Sequence, residues 1–164
     1  MTTLCNVLLV VPEFNGQSFH NYTSNCELVG ARYPAAPLGL ITVAALLPCT
    51  WNCRLVNRNT EELTCADLDW ADVVMTGGMF PQRPDTMRVI ELAQARSRPV
   101  VVGGPDATSS PEAYERADFL VLGEAEGAIG AFVEAWNCGK RQGVFTAEKY
   151  KIDITKTPIP RFDP

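Results

Sequence analysis

Residues 100–127 read VVVGGPDATSSPEAYERADFLVLGEAEG. The stretch holds two apolar runs, 100–102 and 119–122, and each stops at a glycine turn, Gly103-Gly104 and Gly123. Short apolar runs that end on glycine and lead into helix-forming sequence are expected of parallel strands in an open α/β sheet. In such sheets ligands lie beyond the carboxyl ends of the strands, and glycine lets the backbone come close to them.

Working outward, the same rhythm repeats. Residues 6–11 form a continuous apolar run ended by Pro12, as in a central strand covered on both faces. A polar loop with Gly16, Asn21 and Asn25 leads to a helix over 38–47, where Leu40, Ala44 and Leu47 recur at helical spacing and Pro37 suits the first turn. A short second strand is expected at 54–57, a loop with a helical turn at 61–70, and a third strand at 72–76 closing on Gly77 and Gly78. Met87, Ile90 and Ala93, flanked by Val89 and Leu92, predict a helix over 84–96. A fourth strand follows at 99–102, and Ser110 with Pro111 caps a short helix through Tyr114. After the fifth strand at 119–122, Ile129, Phe132, Val133 and Trp136 mark a last helix that Gly139 terminates.

The sum is an α/β, doubly wound, flavodoxin-like or Rossmann-like domain over residues 1–142, with an open parallel five-stranded sheet between two helical layers. Residues 143–164 lack a helical stripe and carry Pro158, Pro160 and Pro164, so they read as an extended arm toward a second domain that this chain does not contain.

Composition narrows the partners. The 164 residues are 46% hydrophobic and 20% charged with a formal charge of −5, which suits one globular domain and disfavours binding driven by phosphate neutralisation. Nucleic acid is therefore not an expected partner. No apolar run approaches the roughly 18–20 residues needed to cross a bilayer, and the N-terminus lacks a basic leader, so a cytoplasmic protein is expected. The six cysteines are scattered, with one CxxxC pair at Cys49 and Cys53 and no paired CxxC spacing of the zinc-ribbon type. Reduced thiols are the expected state.

Cofactor motifs can be tested in turn. The first strand-to-helix turn reads PEFNGQSF rather than GxGxxG, which disfavours a dinucleotide, and GxxxxGK[ST] is absent. A phosphate cradle of the flavin mononucleotide type is also missing after the first strand. A phosphoacceptor module would carry Asp where this chain has Thr76, Gly77 and Gly78.

What remains is TGGMFPQ, VVVGGPDAT and LGEAEGAIGAF after three successive strands. With YPAAPLGLITVAALLP, LVNRN and the terminal TPIPRFD, these segments resemble the N-terminal cobalamin-binding domain of radical S-adenosylmethionine enzymes over nearly the whole chain. Within that family the chain resembles the branch of hopanoid methylases and magnesium-protoporphyrin IX monomethyl ester oxidative cyclases. The resemblance implies that cobalamin is the cofactor of this domain. It also implies that S-adenosylmethionine and a four-iron cluster belong to a C-terminal radical domain beyond Pro164, and that the substrate is a hydrophobic or tetrapyrrole-like small molecule. This chain has no CxxxCxxC triplet to hold such a cluster, so alone it starts no radical.

Cobalamin's nucleotide tail, when detached from cobalt, needs a path between sheet and helices, and turns without side chains provide one. Gly77, Gly78, Gly103, Gly104 with Pro105, and Gly123 are the candidates. Thr76 is placed to hydrogen-bond the tail base, and Met79, Phe80 and Tyr33 to make apolar contact with the corrin or its tail; each also suits a core or interface position. Glu124 and Glu126 begin the last helix, where carboxylates stabilise the helix dipole by a few tenths to about 1 kcal/mol, or contact tail hydroxyls. Asp106 reads as a turn former. The Asp-x-His-x-x-Gly motif of other cobalamin domains is absent, and the single histidine, His20, lies in the corresponding loop without that spacing. It is the one candidate cobalt ligand, and a solvated loop histidine is the alternative. Beside the cobalamin reading stands a second one, a cofactor-free module of the same fold that docks on or shapes the site of its partner domain.

Overall fold

Apolar runs bounded by glycine and proline become the central strands. The computed structural model describes residues 4–18, 22–31, 33, 36–148 and 150–164. Among these residues six strands, β1 Cys5–Val11, β2 Trp51–Asn57, β3 Val73–Gly77, β4 Val100–Gly103, β5 Phe119–Leu122 and β6 Gly143–Thr146, form one sheet in the order β2-β1-β3-β4-β5-β6. Every pairing is parallel. The helices are α1 Thr23–Val29, α2 Leu38–Leu46, α3 Cys65–Trp70, α4 Arg83–Gln94, α5 Gly104–Ser109 and α6 Ala125–Asn137.

Successive strand residues point to opposite faces, which builds two cores. On one face Val7, Leu9, Met75, Val101, Phe119 and Val121 meet Ala44 of α2 and Ala128, Ile129 and Phe132 of α6. On the other, Leu8, Val10, Val74, Val102, Leu120 and Leu122 meet Leu68 of α3, Val89, Ile90 and Ala93 of α4, and Ala107 of α5. This is the three-layer, doubly wound α/β architecture expected from the sequence.

The differences have physical reasons. The sheet has six strands, not five: Gly143–Thr146 pairs with β5, with Phe145 against the core and Val144 outward and 63% exposed. Three strand-forming residues between polar neighbours are too few to show a period of two. The second strand begins at Trp51, which is buried at its edge-strand position, rather than at Arg54. Within the region read as loop, Thr64 and Asp67 form a capping box, Thr64 Oγ1 accepting from the Asp67 amide at 3.2 Å and Asp67 Oδ2 from the Thr64 amide at 3.1 Å, and this starts α3. Helix α1 lies in the stretch read as polar loop, and Pro111–Tyr114 is a 3-10 turn to which Ser110 contributes no side-chain cap. Helix α6 ends as expected, with Gly139 left-handed at φ +78°.

Candidate functional site

The strand order reverses direction between β1 and β3, and in a doubly wound sheet the crevice at that point is where ligands bind. The turns that surround it are built by the glycines. In the ladder Gly77 stands opposite Gly103, and Gly103 opposite Val121. A Cβ on Gly77 would fall on the carbonyl oxygen of Gly103, and Gly104 takes φ +89°, a left-handed conformation that side chains disfavour. Glycine is thus required here by the approach of one turn to the next. Hydrogen bonds tie the turns together: the Asp106 amide donates to Gly78 O at 3.1 Å, and Thr108 Oγ1 donates to Gly104 O at 2.8 Å and accepts from the Gly123 amide at 3.0 Å.

Between these turns, α2 and the start of α6 lies a cavity of about 670 Å³, within the range of small-molecule and cofactor sites. Thr76, Gly77, Gly78 and Met79 form its β3 side, and Gly103, Gly104 and Pro105 its β4 side. Gly123 and Glu126 line it near the start of α6, and Tyr33 also lines it. Glu124 is outside the lining, as is Phe80, which is 69% exposed beside it. His20, the candidate cobalt ligand, lies outside the described residues. Sequence reading missed the walls: Gly39, Thr42 and Val43 of α2, Val101 and Val121 of the sheet, and Ile129 of α6. Their shared trait is a small or β-branched side chain on the facing surfaces of sheet, α2 and α6, a signal visible only once the two faces are assigned.

The polar groups of the site are few and largely committed. The Thr76 hydroxyl is buried and donates to Val10 O at 2.9 Å, so toward a ligand it offers only an acceptor oxygen. Glu126 accepts from the Thr157 hydroxyl at 3.1 Å, which brings the C-terminal segment against the α6 end of the cavity. Glu124, at the N-cap of α6, buries one carboxylate oxygen that has no hydrogen-bond partner among the described residues. Burial, and then the nearby Cys26, push the Tyr33 hydroxyl above its ordinary pKa. Gln82 holds the β1 and β3 turns together, donating to Pro12 O at 2.7 Å and accepting from the Met79 amide at 3.1 Å.

Asp106 is more than a turn former. It is 5% exposed and accepts from Arg83 Nε at 2.8 Å, Arg83 Nη2 at 2.6 Å and the Tyr114 hydroxyl at 2.6 Å. The Arg83 guanidinium holds the carboxyl below the usual carboxylate range. Among the described residues no cluster of three or more His, Cys, Asp or Glu could hold a metal ion; Cys49 is exposed and Cys53 half-buried.

An apolar cavity at the switch point of an all-parallel sheet, rimmed by glycine turns, defines a cofactor-binding α/β domain. The family comparison gives it an identity: residues 28–133 match the B12 binding domain, and the chain belongs to that family. Over 158 residues, 95% of this chain, it is 46% identical to the uncharacterized methyltransferase sll1242 of Synechocystis sp.. It is 34% identical over 164 residues, 96% of the chain, to the hopanoid C-2 methylase of Rhodopseudomonas palustris. The chain spans 29% and 30% of the lengths of these two relatives. No solved structure matches it. Among the described residues no helix is long and apolar enough to cross a membrane.

Proposed function

We propose that this chain is the cobalamin-holding domain of a larger radical S-adenosylmethionine methyltransferase acting on a hydrophobic substrate. The observation that carries the reading is the cavity itself. Its walls are apolar and separated, its volume of about 670 Å³ suits a nucleotide tail, and it opens at the carboxyl ends of β3, β4 and β5. The tail base would lie between Val43 of α2 and Val101 and Val121 of the sheet. The corrin would then rest at the mouth, near Met79, Pro105 and Tyr33. The buried oxygen of Glu124, without a partner among the described residues, is a ready acceptor for a tail hydroxyl or amide next to the cavity wall.

Bound cobalamin would supply methyl-carrying chemistry. The share of this chain is to hold the cofactor, keep water from its tail and present it to the remainder of the enzyme. In this reading the four-iron cluster and S-adenosylmethionine belong to the part of the relatives' length that this chain does not span, since the chain has no CxxxCxxC triplet. The residues after β6, 147–164, then lead toward that part. The names of both relatives favour methyl transfer as the chemistry of the whole protein.

A visible-absorbance and calorimetric titration of the chain with hydroxocobalamin tests the reading. One-to-one saturable binding, with the spectrum shifting to the base-off form, is expected. A folded chain that binds none, joined by a longer protein that also binds none, would overturn it in favour of a docking module without cofactor.

A further inference from the structure

Asp106 and Arg83 are absent from the cavity lining, yet they join the two turns, after β3 and after β4, that form one side of its mouth. The Asp106 amide holds Gly78 O, its carboxylate takes both arms of the Arg83 fork, and the Tyr114 hydroxyl closes the set. Arg83 begins α4, directly after Gln82, whose side chain fixes the Met79 amide and Pro12 O. The guanidinium also lies over the rings of Phe80, at 4.9 Å from the centroid, and Tyr114, at 6.0 Å. One lip of the mouth, Gly78 and Met79, is thereby fastened to the other, Gly104 and Pro105.

Stability alone does not explain the arrangement. An ion pair between a buried carboxylate and a guanidinium still 27% exposed adds little over a well-packed apolar pair of the same volume, because desolvation offsets much of the attraction. A planar bidentate fork does supply fixed distance and orientation. Besides the single Asp106 amide bond to Gly78 O, the two turns have no side chains of their own to interlock at Gly77, Gly78, Gly103 and Gly104.

We propose that Asp106 is a positioning residue for cofactor recognition: through its fork with Arg83 it sets the separation of the two lips of the cavity and so its fit to the cofactor. This rests on the cobalamin reading above, and the tests separate the two. The first variant replaces the whole set by apolar residues, Arg83→Met with Asp106→Leu and Tyr114→Phe, so that no buried hydroxyl is left without its acceptor. Its urea midpoint is expected to stay near wild type, while its affinity for hydroxocobalamin falls at least tenfold with faster dissociation. In the free protein, amide exchange over 78–82 and 104–108 is expected to rise at least tenfold, with α6 amides unchanged. The second variant, Arg83→Lys, keeps the charge beside Asp106 and loses the fork. It is expected to fold and to bind about fivefold more weakly, so it decides the matter if the triple variant does not fold.

Wild-type affinity together with unchanged exchange in either folded variant overturns the proposal, and so does faster exchange spread evenly over the whole chain. If the wild-type chain does not bind hydroxocobalamin, the cobalamin reading falls. The exchange measurement then still decides whether the fork fixes the two lips.

Discussion

The two faces of the sheet are made by alternate residues of the same strands and end differently. Leu8, Val10, Val74 and Val102 are fully buried against α3, α4 and α5, and that face is closed from end to end. On the other face only the amino-terminal half is sealed, by an aromatic cluster in which Phe119 and Phe132 meet edge-on at 5.2 Å and Trp51 and Trp136 pack beside them. Two residues beyond Phe119, Val121 already lines the cavity, as do Met75 and Val101. Close packing is the rule inside proteins, so a gap of this size bordered by valine, threonine and glycine marks a place where side chains do not reach one another. The lesson is that the site is made by what α2 and the strands lack in volume.

The strongest way to break this comparison is to truncate the same residue type on both faces. Ile90 of α4 lies on the closed face and Ile129 of α6 on the cavity wall. Ile90→Ala should cost about 4 kcal/mol, because the hole it leaves has rigid walls; Ile129→Ala should cost nearer 2 kcal/mol, because it widens a space that already exists. Urea denaturation of the two variants measures the gap. Equal losses would mean that the open face is packed as tightly as the closed one.

Alkaline titration sharpens the comparison next. Burial, and then the charge of Asp72, push the Cys5 thiol on the sealed half of the open face up to about 12 from 9.0. Burial, and then its hydrogen bond to Asp106, push Tyr114 on the closed face up to about 12 from 10.0. Both folded values are raised, so the stability each contributes is fully present below the unfolded value and is lost as pH rises toward 12. Each loss is on the order of 2–4 kcal/mol. Thermal midpoints should begin to fall near pH 9. In Cys5→Ala the fall between pH 9 and 10 should shrink to the share of Cys53, whose thiol is also raised by burial, and Tyr114→Phe should lessen the later part, leaving the share of Tyr33. Identical pH profiles for all three proteins would contradict this division.

Much of this division was legible in the sequence. The run at 6–11, the glycines after three strands and the period of α6 place the sheet, the mouth and the helix that borders it. Other features were hidden because they depend on register. Nothing local distinguishes Val101 from Val102, yet one faces the cavity and the other the closed core. The glycines were expected to make way for a ligand; Gly77 is required first by the carbonyl of Gly103, a neighbour 26 residues away that only strand pairing reveals. Asp106 after Pro105 has the composition of a turn, and its buried fork appears only when α4 brings Arg83 beside it.

Overpacking gives a smaller contrast. Val74→Phe inserts a ring into the closed face and should cost about 2 kcal/mol. Val43→Phe places the same ring into the cavity, so stability should stay within about 0.5 kcal/mol of wild type while hydroxocobalamin binding is lost. Calorimetry of both variants, with and without hydroxocobalamin, reads both effects. A Val43→Phe protein that binds normally would place the cofactor elsewhere.

The faintest expected effect concerns how the walls of the open face are joined. On the closed face, α3, α4 and α5 meet through a continuous apolar core. Where the cavity separates α2 from α6, the C-terminal segment crosses between them: the Thr157 hydroxyl donates to Glu126 of α6 at 3.1 Å, and the Arg161 amide donates to Ile41 O of α2 at 3.0 Å. Removing one such bond with Thr157→Val should loosen the segment by about 1 kcal/mol. The exchange rate of the Arg161 amide should then rise about fivefold with no change in the global urea midpoint. An unchanged rate would show that Arg161 is held independently of Glu126.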